Sequence, residues 1–85
     1  MKPSTIERAV SNTDFARRVG VHYTMASRLR NGKRMPSSHT LSSICSAFNL
    51  RGADQEAMMR AVEAGQTEFG RWVREQLFIP HATDD

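Results

Sequence analysis

The sequence predicts an all-α fold, a compact bundle of five to six short helices. Apolar residues recur three and four positions apart along most of the chain, which is the spacing of helices that share a core. No stretch alternates polar and apolar residues as a half-buried strand does. Glycine, proline and serine separate the periodic segments, at the places where helices end and begin.

A chain of 85 residues is long enough for one domain with a single core. Within it, we expect residues 1–52 to form the main helical unit and residues 53–80 to add helices that complete the same domain. Residues 81–85 include two acids and follow Pro80, so we expect a disordered tail there.

The first helix is predicted to start near Thr5. Ser4 and Glu7 have the spacing of a capping box, in which the hydroxyl and the carboxylate each accept a hydrogen bond from the other residue's backbone N–H group. Three apolar residues at helical spacing form its buried face: Ile6, Ala9 and Val10. Residues 11–12 connect this helix to the next.

Residues 12–31 predict two short helices joined at Gly20. Each helix carries one apolar stripe, formed by Phe15, Ala16 and Val19 and then by Ala26 and Leu29. Glycine fits the junction because it tolerates the left-handed conformation that ends a helix and turns the chain. Two helices that share one core across such a tight turn have the geometry of a helix-turn-helix.

These two helices are predicted near residues 13–19 and 23–30. Thr13 is the expected N-cap of the first, followed by an acid that suits the positive end of the helix dipole. The second helix opens at His22 or Tyr23 without a strong cap.

A loop and another helix follow. Residues 31–36 contain a glycine, two basic residues and a proline, a composition that ends a helix. Ser37 or Ser38 is the expected cap of the next helix. Its apolar stripe consists of Leu41, Ile44, Cys45 and Phe48.

The last two helices are predicted near residues 55–64 and 68–78, with Asp54 and Thr67 as their N-caps. The inward-facing residues are Met58, Ala61 and Val62 in the first and Phe69, Trp72, Val73 and Leu77 in the second. Gly70 lies inside the last helix, where glycine costs about 1 kcal/mol relative to alanine.

Taken together, these motifs resemble the lambda-repressor-like helix-turn-helix regulators, the XRE-like family of phage repressors and Cro proteins. The resemblance covers residues 4–50. The matching residues are Phe15, Ala16, Val19, Gly20, Val21, Ala26 and Leu29, followed by Asn31–Gly32–Lys33, Pro36–Ser37 and Thr40–Leu41. It implies a lambda-repressor-like fold that reads DNA with the second helix of the motif. The residues on that helix are not the glutamine pairs often seen in the family, so the target sequence does not carry over.

Charge is divided unevenly along the chain. Residues 1–53 contain nine basic and two acidic residues, whereas residues 54–85 contain three basic and seven acidic ones. No acid occurs from Phe15 to Ala53. Because this acid-free basic segment coincides with the predicted helix-turn-helix, it indicates a surface that binds a polyanion.

The composition excludes several other classes. Cys45 is the only cysteine and has no partner for an internal disulfide, and no cysteine or histidine spacing suggests a metal site. The sequence shows no signal peptide, no membrane-spanning stretch and no catalytic constellation. We therefore expect a cytoplasmic protein of a bacterial cell or phage-infected host that is not an enzyme and needs no cofactor.

The second helix of the motif carries the candidate base-reading residues. A major groove admits one α-helix, whose N-terminal turns meet the base edges. With Ala26 and Leu29 inward, the outward face holds Tyr23, Thr24, Ser27 and Arg28. Arg28 is the strongest candidate because a guanidinium bonds guanine O6 and N7 together; a phosphate contact or a surface ion pair is its alternative. Tyr23 either meets a thymine methyl or a phosphate, or folds back on the core.

Phosphate contacts are predicted on both sides of that helix. The candidates are Ser11, Asn12, Thr13, Arg17, His22, Arg30, Asn31, Lys33 and Arg34. The first three lie at a helix start, where free N–H groups attract an anion. His22 and His39 are equally well explained as neutral surface residues. With about five phosphates neutralised per protomer, affinity is expected to fall with salt at a log–log slope of about −4 to −5.

The C-terminal helices leave two interpretations open. Phe69, Trp72, Val73 and Leu77 either complete the core of a monomer or form a dimer face. A two-fold dimer would set two reading helices one DNA turn apart, about 34 Å, on an inverted repeat.

The sequence therefore predicts a sequence-specific, double-stranded DNA-binding transcriptional regulator, most similar to a small phage or prophage Cro-type repressor. The alternative is an antitoxin or another protein-interaction module that uses the same scaffold, with its C-terminal helix as the partner-binding face. RNA binding is less favoured, because only Tyr23 is available near the basic face to stack on bases.

Overall fold

The computed structural model describes residues 7–85. Within that range the elements follow in the order β1 (Ala9–Ser11), α1 (Asn12–Val19), α2 (Tyr23–Arg30), α3 (Ser38–Phe48), α4 (Ala53–Ala64), α5 (Gln66–Leu77) and β2 (Phe78–Thr83). The architecture is the predicted helical bundle, with a small two-stranded sheet added to it.

An aromatic cluster marks the centre of the core. The ring of Phe15 on α1 lies 5.6 Å from that of Phe48 on α3 and 5.2 Å from that of Phe78 on β2, measured between centroids. All three side chains are at most 2 % exposed. Burying a phenylalanine contributes about 1.5–3 kcal/mol. The strand β2 is therefore part of the core and fixes the C-terminal segment against the helix-turn-helix.

The two strands run parallel, with Ala9 opposite Phe78 and Ser11 opposite Thr83 and an irregularity between these pairs. Parallel strands need a long crossover connection, and here all five helices form it. The sheet consequently joins the segment before α1 to the segment after α5.

The prediction of a first helix is wrong for the residues that the structure describes. Ala9–Ser11 forms β1, and Val10 is 52 % exposed although the sequence placed it in the core. Alternate residues of a strand point to opposite sides, which buries Ala9 and exposes its neighbour. Three residues are too few for a periodic pattern to reveal a strand. Ser4, Thr5 and Ile6, which belong to the same prediction, lie outside the described residues.

The disordered tail predicted at residues 81–85 is also contradicted. The chain continues as β2 to Thr83, and Asp84 and Asp85 are hydrogen-bonded to the start of α1. Pro80 stops α5, but a proline remains compatible with an edge strand, where one side of the backbone is unpaired.

Side chains cap the starts of α1, α2 and α3, and only the cap of α3 is the one that the sequence predicts. The Oγ of Ser11, not of Thr13, caps α1 by accepting from the N–H of Asp14 at 3.0 Å. The Nδ1 of His22 caps α2 by accepting from the N–H of Thr24 at 3.1 Å. The predicted cap at Ser37 on α3 is confirmed.

The other two predicted caps are wrong. Gly52 and Gly65 occupy the N-cap positions of α4 and α5, and neither helix has a side-chain cap. Asp54 and Thr67 each lie two positions after the N-cap, inside the first turn. The carboxylate of Asp54 still interacts favourably with the positive end of the helix dipole at this position.

A close approach between α5 and the loop after α2 explains Gly70. A Cβ atom on Gly70 would lie 2.4 Å from both the Cα and the N of Gly32. Only glycine leaves room for two backbones this close. The residue that the sequence presents as a weakness of the last helix is a packing requirement that helps to place the end of α2.

Candidate nucleic-acid interface

The turn between α1 and α2 has the geometry that the sequence predicts. Gly20 adopts φ 83° and ψ 34°, in the left-handed region, and its N–H donates to the carbonyl oxygen of Ala16 at 2.8 Å. Val21 donates to the same oxygen at 3.0 Å and packs against the core. Ala26 and Leu29 lie on the inner side of α2 and are fully buried. These contacts orient α2 so that its opposite side faces outward.

The outward side of α2 contains the four predicted base-reading residues. Tyr23, Thr24 and Arg28 are exposed, and Ser27 is half-buried. The guanidinium of Arg28 has no hydrogen-bond or ion-pair partner among residues 7–85. We call the side chains of Tyr23, Thr24, Ser27 and Arg28 the reading face.

Two residues of the reading face have local partners that the sequence did not reveal. The side-chain amide of Asn31 donates to the Oγ of Ser27 at 3.4 Å. The hydroxyl of Tyr23 donates to the carbonyl oxygen of Asp84. Tyr23 is 41 % exposed, so it does not fold back on the core. Thr24 and Arg28 are therefore the residues of the reading face whose side chains have no partner within residues 7–85.

Three further exposed cations lie on the helix before α2 and in the loop after it. Arg17 on α1 and Lys33 and Arg34 in the loop after α2 are exposed, and their side chains are unpaired within the part of the chain that the structure describes. The loop is held in place, because the N–H of Lys33 donates to the carbonyl oxygen of Arg28 at 2.8 Å. Arg74 on α5 also donates to the carbonyl oxygen of Arg30 at 2.8 Å. Exposed cations before and after the helix in sequence are the kind of side chain that binds phosphate strands.

Arg18 differs from its neighbour Arg17. Its guanidinium donates to Glu7 at 3.0 Å and to Asp14 at 3.1 Å. The hydrogen bond to Glu7 is the main cause that raises the pKa of Arg18; burial opposes it, and the hydrogen bond to Asp14 adds to it. The charge of Arg18 is thus partly neutralised inside the protein.

The predicted phosphate site at the start of α1 is filled by the chain itself. Asn12 is 1 % exposed and its amide donates to the carbonyl oxygen of Asp84 at 3.2 Å. The backbone N–H of Thr13 donates to the backbone oxygen of Asp85 at 2.7 Å. The hydroxyl of Ser11 already accepts the hydrogen bond that caps α1. The prediction that Asn12 contacts phosphate is corrected, because a buried amide with two protein partners does not reach DNA.

Arg30 requires the largest correction. Its side chain is 15 % exposed, and its guanidinium donates to Asn12, Ala82, Thr83 and Asp84 at 2.7–3.3 Å. It also lies 4.3 Å above the ring of Phe78, a cation–π contact. Arg30 joins α2 to β2 and is not a free phosphate ligand. The sequence missed this role because it gave no sign of the strand that supplies the acceptors.

The remaining phosphate candidates are less occupied. His22 is exposed, but its Nδ1 is used as the cap of α2. Asn31 is exposed at the end of α2 beside Lys33. His39 is exposed on α3. His22 and Asn31 lie next to the reading face along the chain.

The residues predicted to form a dimer or core face belong mainly to the core. Phe69, Val73 and Leu77 are fully buried within the protein, which excludes them from a surface. Trp72 is half-buried and its ring lies 5.8 Å from that of Phe69. Of these four residues, Trp72 alone presents part of its side chain to solvent.

Cys45 has the properties of a core residue. Burial raises the pKa of its thiol, and its sulfur lies 3.9 Å from that of Met58. A thiol with a raised pKa is a poor nucleophile at neutral pH.

Neither a metal centre nor a membrane span was found in the described region. Residues 7–85 contain no cluster of three histidine, cysteine or acidic side chains placed to hold a metal ion. Among the helices of this region, none has the length and the apolar character needed to cross a bilayer.

The tight turn, the buried inner stripe and the outward polar side of α2 define a DNA-binding helix-turn-helix. The family model for the helix-turn-helix matches residues 6–54, more than half of the chain. The protein belongs to the lambda-repressor-like, or XRE-type, helix-turn-helix family, a family of double-stranded DNA-binding regulators rather than enzymes. Comparison with curated proteins and with solved structures gave no significant match.

Proposed function

We propose that the protein is a sequence-specific transcriptional repressor that places α2 in the major groove of operator DNA, as a small phage or prophage Cro-type regulator does. The observation that carries the proposal is the reading face. It lies on the outward side of α2, it contains an arginine without a partner among residues 7–85, and no acid lies on α2.

Each side chain of the interface has a proposed role. Arg28 bonds O6 and N7 of a guanine, a pairing that discriminates by about 1–3 kcal/mol. Thr24 and Ser27 are short enough to let the helix backbone approach the base edges. Tyr23 contacts a thymine methyl or a phosphate.

Phosphate binding is proposed for three cations of the helix-turn-helix and its loop that have no partner among residues 7–85. Arg17 holds one strand, and Lys33 and Arg34 hold the other. Three neutralised phosphates give an expected log–log salt slope of about −3 per protomer. This slope is smaller than the sequence alone suggested, because Arg30 is used within the protein.

A homodimer on an inverted repeat remains our proposal for the assembly. A groove of about 320 Å³ between α4 and α5 contains part of Trp72 and two alanines. Its rim carries charges of both signs, Arg60 and Arg71 beside Glu68 and Glu75. Such a rim suits contact with a second copy of itself, and it lies on the acidic half of the chain. An antitoxin or another interaction module would use the same groove for a different partner.

Selection of bound duplexes from a random pool tests the proposal. The expected result is an enriched inverted repeat whose half-sites lie about one helical turn apart and contain guanine. Enrichment of a single half-site would support sequence-specific DNA binding and contradict the proposed homodimer. Failure to retain any duplex in dilute buffer would contradict the proposed function. A protein partner that binds the Trp72 groove would then favour the interaction module.

A further inference from the structure

The acidic residues Asp84 and Asp85 lie where a phosphate was expected. The backbone oxygen of Asp85 accepts from the N–H of Thr13, and the carbonyl oxygen of Asp84 accepts from the side-chain amide of Asn12. The carboxylate of Asp84 pairs with Arg30 at 3.2 Å. An acidic segment of the chain thus occupies the anion-attracting start of α1.

The same segment also touches the reading face. The hydroxyl of Tyr23 donates to the carbonyl oxygen of Asp84. Tyr23 is the first residue of α2, so this contact lies at the end of the helix that meets base edges. One short segment therefore covers a proposed phosphate site and restrains a proposed base-reading residue at once.

Two of the groups that hold the segment are of a kind that binds phosphate. A backbone N–H group at a helix start, here that of Thr13, and a tyrosine hydroxyl, here that of Tyr23, are common donors to phosphate oxygens. Their present acceptors are the backbone oxygens of Asp85 and Asp84. Both the side chain of Asp84 and that of Asp85 are exposed, so a negative charge would face an approaching phosphate strand.

We propose that Asp84 and Asp85 form an internal phosphate mimic that competes with operator DNA for the start of α1 and for Tyr23. The inference rests on the proposed function. Binding of DNA displaces only these two residues. The strand β2 stays in place, because Phe78 is buried in the core and Arg30 stacks on its ring.

Competition of this kind lowers the apparent affinity by the fraction of molecules in which the site is open. A segment that covers the site nine-tenths of the time weakens DNA binding about tenfold. Because the segment belongs to the same chain, its local concentration does not change when the protein is diluted. Each operator would therefore need about tenfold more protein to reach the same occupancy.

The test compares two variants that remove the same charge. D84N/D85N removes the ion pair between Asp84 and Arg30 and the negative charge of the segment, which weakens its hold on the site, and E56Q/E63Q neutralises two exposed acids on α4. The probe is the duplex enriched from the random pool, or a mixed-sequence duplex if none is enriched. D84N/D85N is expected to bind about fivefold to tenfold tighter than E56Q/E63Q. Equal affinities, or a weaker D84N/D85N, would overturn the inference.

Amide signals in the wild-type protein give a second readout. On addition of the duplex, the signals of Asp84 and Asp85 should move to values of an unstructured chain, while those of Phe78 and Ile79 keep their values. The amide of Thr13 should shift because its acceptor is exchanged. If DNA binds and the Asp84 and Asp85 signals do not move, the inference is wrong while the proposed function stands. If no form of the protein binds any duplex, both are wrong.

Discussion

Arg28 and Arg30 are two residues apart on the same helix and serve opposite purposes. The guanidinium of Arg28 is exposed and has no partner within the described residues, whereas that of Arg30 is bonded to four residues and stacked on Phe78. We call the second environment, formed by Asn12, Arg30, Phe78 and residues 82–84, the seam between α2 and β2. Helical geometry explains the difference, because positions two apart point to different sides of a helix.

The comparison teaches that a basic segment is not uniformly a binding surface. A buried guanidinium is tolerated only when its N–H groups find acceptors, and the seam supplies carbonyl oxygens, an amide oxygen and a carboxylate. Transfer of Arg30 to a phosphate would break these bonds. Arg28 loses only water when it meets a base. Within the described part of the chain, the interface cations without a partner are thus Arg17, Arg28, Lys33 and Arg34.

The largest expected effect concerns the packing that places the end of α2. Gly70→Ala should destabilise the protein by about 3 kcal/mol, because its Cβ would meet the backbone of Gly32. Alanine favours a helix by only about 1 kcal/mol over glycine. Urea unfolding measures the difference, with the exposed Gln76→Ala on the same helix as control. A Gly70→Ala protein as stable as the wild type would show that α5 and the loop do not approach this closely.

The seam itself is tested by Arg30→Ala. We expect a loss of about 2 kcal/mol in the free energy of unfolding, because several charge-assisted hydrogen bonds disappear. The buried side-chain oxygen of Asn12 also loses the donor that Arg30 provides. Arg28→Ala should change stability by no more than about 0.5 kcal/mol, as at other open surface sites. Thermal or urea unfolding of the two variants decides this. Equal stability losses would remove the distinction between the two arginines.

For DNA binding, unlike stability, we expect Arg28 to matter more than Arg30. Arg28→Ala should weaken binding to the enriched duplex by about 1–3 kcal/mol and leave binding to a scrambled duplex nearly unchanged. Fluorescence anisotropy on the two duplexes at two salt concentrations measures both losses. Equal losses on both would assign Arg28 to phosphate instead of bases.

The smallest effect is expected for the loop. Lys33→Ala should weaken all duplexes by a similar factor and reduce the log–log salt slope by about 1. Arg51→Ala, an exposed arginine after α3, is the matched control and should change the slope less. If Lys33→Ala changes discrimination between duplexes more than it changes the slope, Lys33 contacts bases.

Much of the helical fold was predictable because helices leave a periodic signal in sequence. The stripes of α1 to α5 and the left-handed turn at Gly20 follow from spacing and from glycine's conformational freedom. The strands were not predictable, since β1 has three residues and β2 contains Pro80. Long-range pairing of short segments leaves no local pattern.

The limits of the site prediction come from the same cause. The reading face was predictable, because the inner stripe of one helix defines its outer side. The partners of the Asn12 and Arg30 side chains were not, since all of them except each other lie on β2 or just after it. Charge and helix position indicated DNA contacts there, whereas tertiary contacts had already occupied those groups.

The central claim is that the reading face of α2 meets the DNA. Backbone amide signals recorded while the enriched duplex is added test it most directly. The account predicts that the largest changes occur at Tyr23, Thr24, Ser27 and Arg28, with smaller ones at Arg17 and Lys33 and none along α4. Changes concentrated on α4 and α5, with the signals of α2 unmoved, would contradict it.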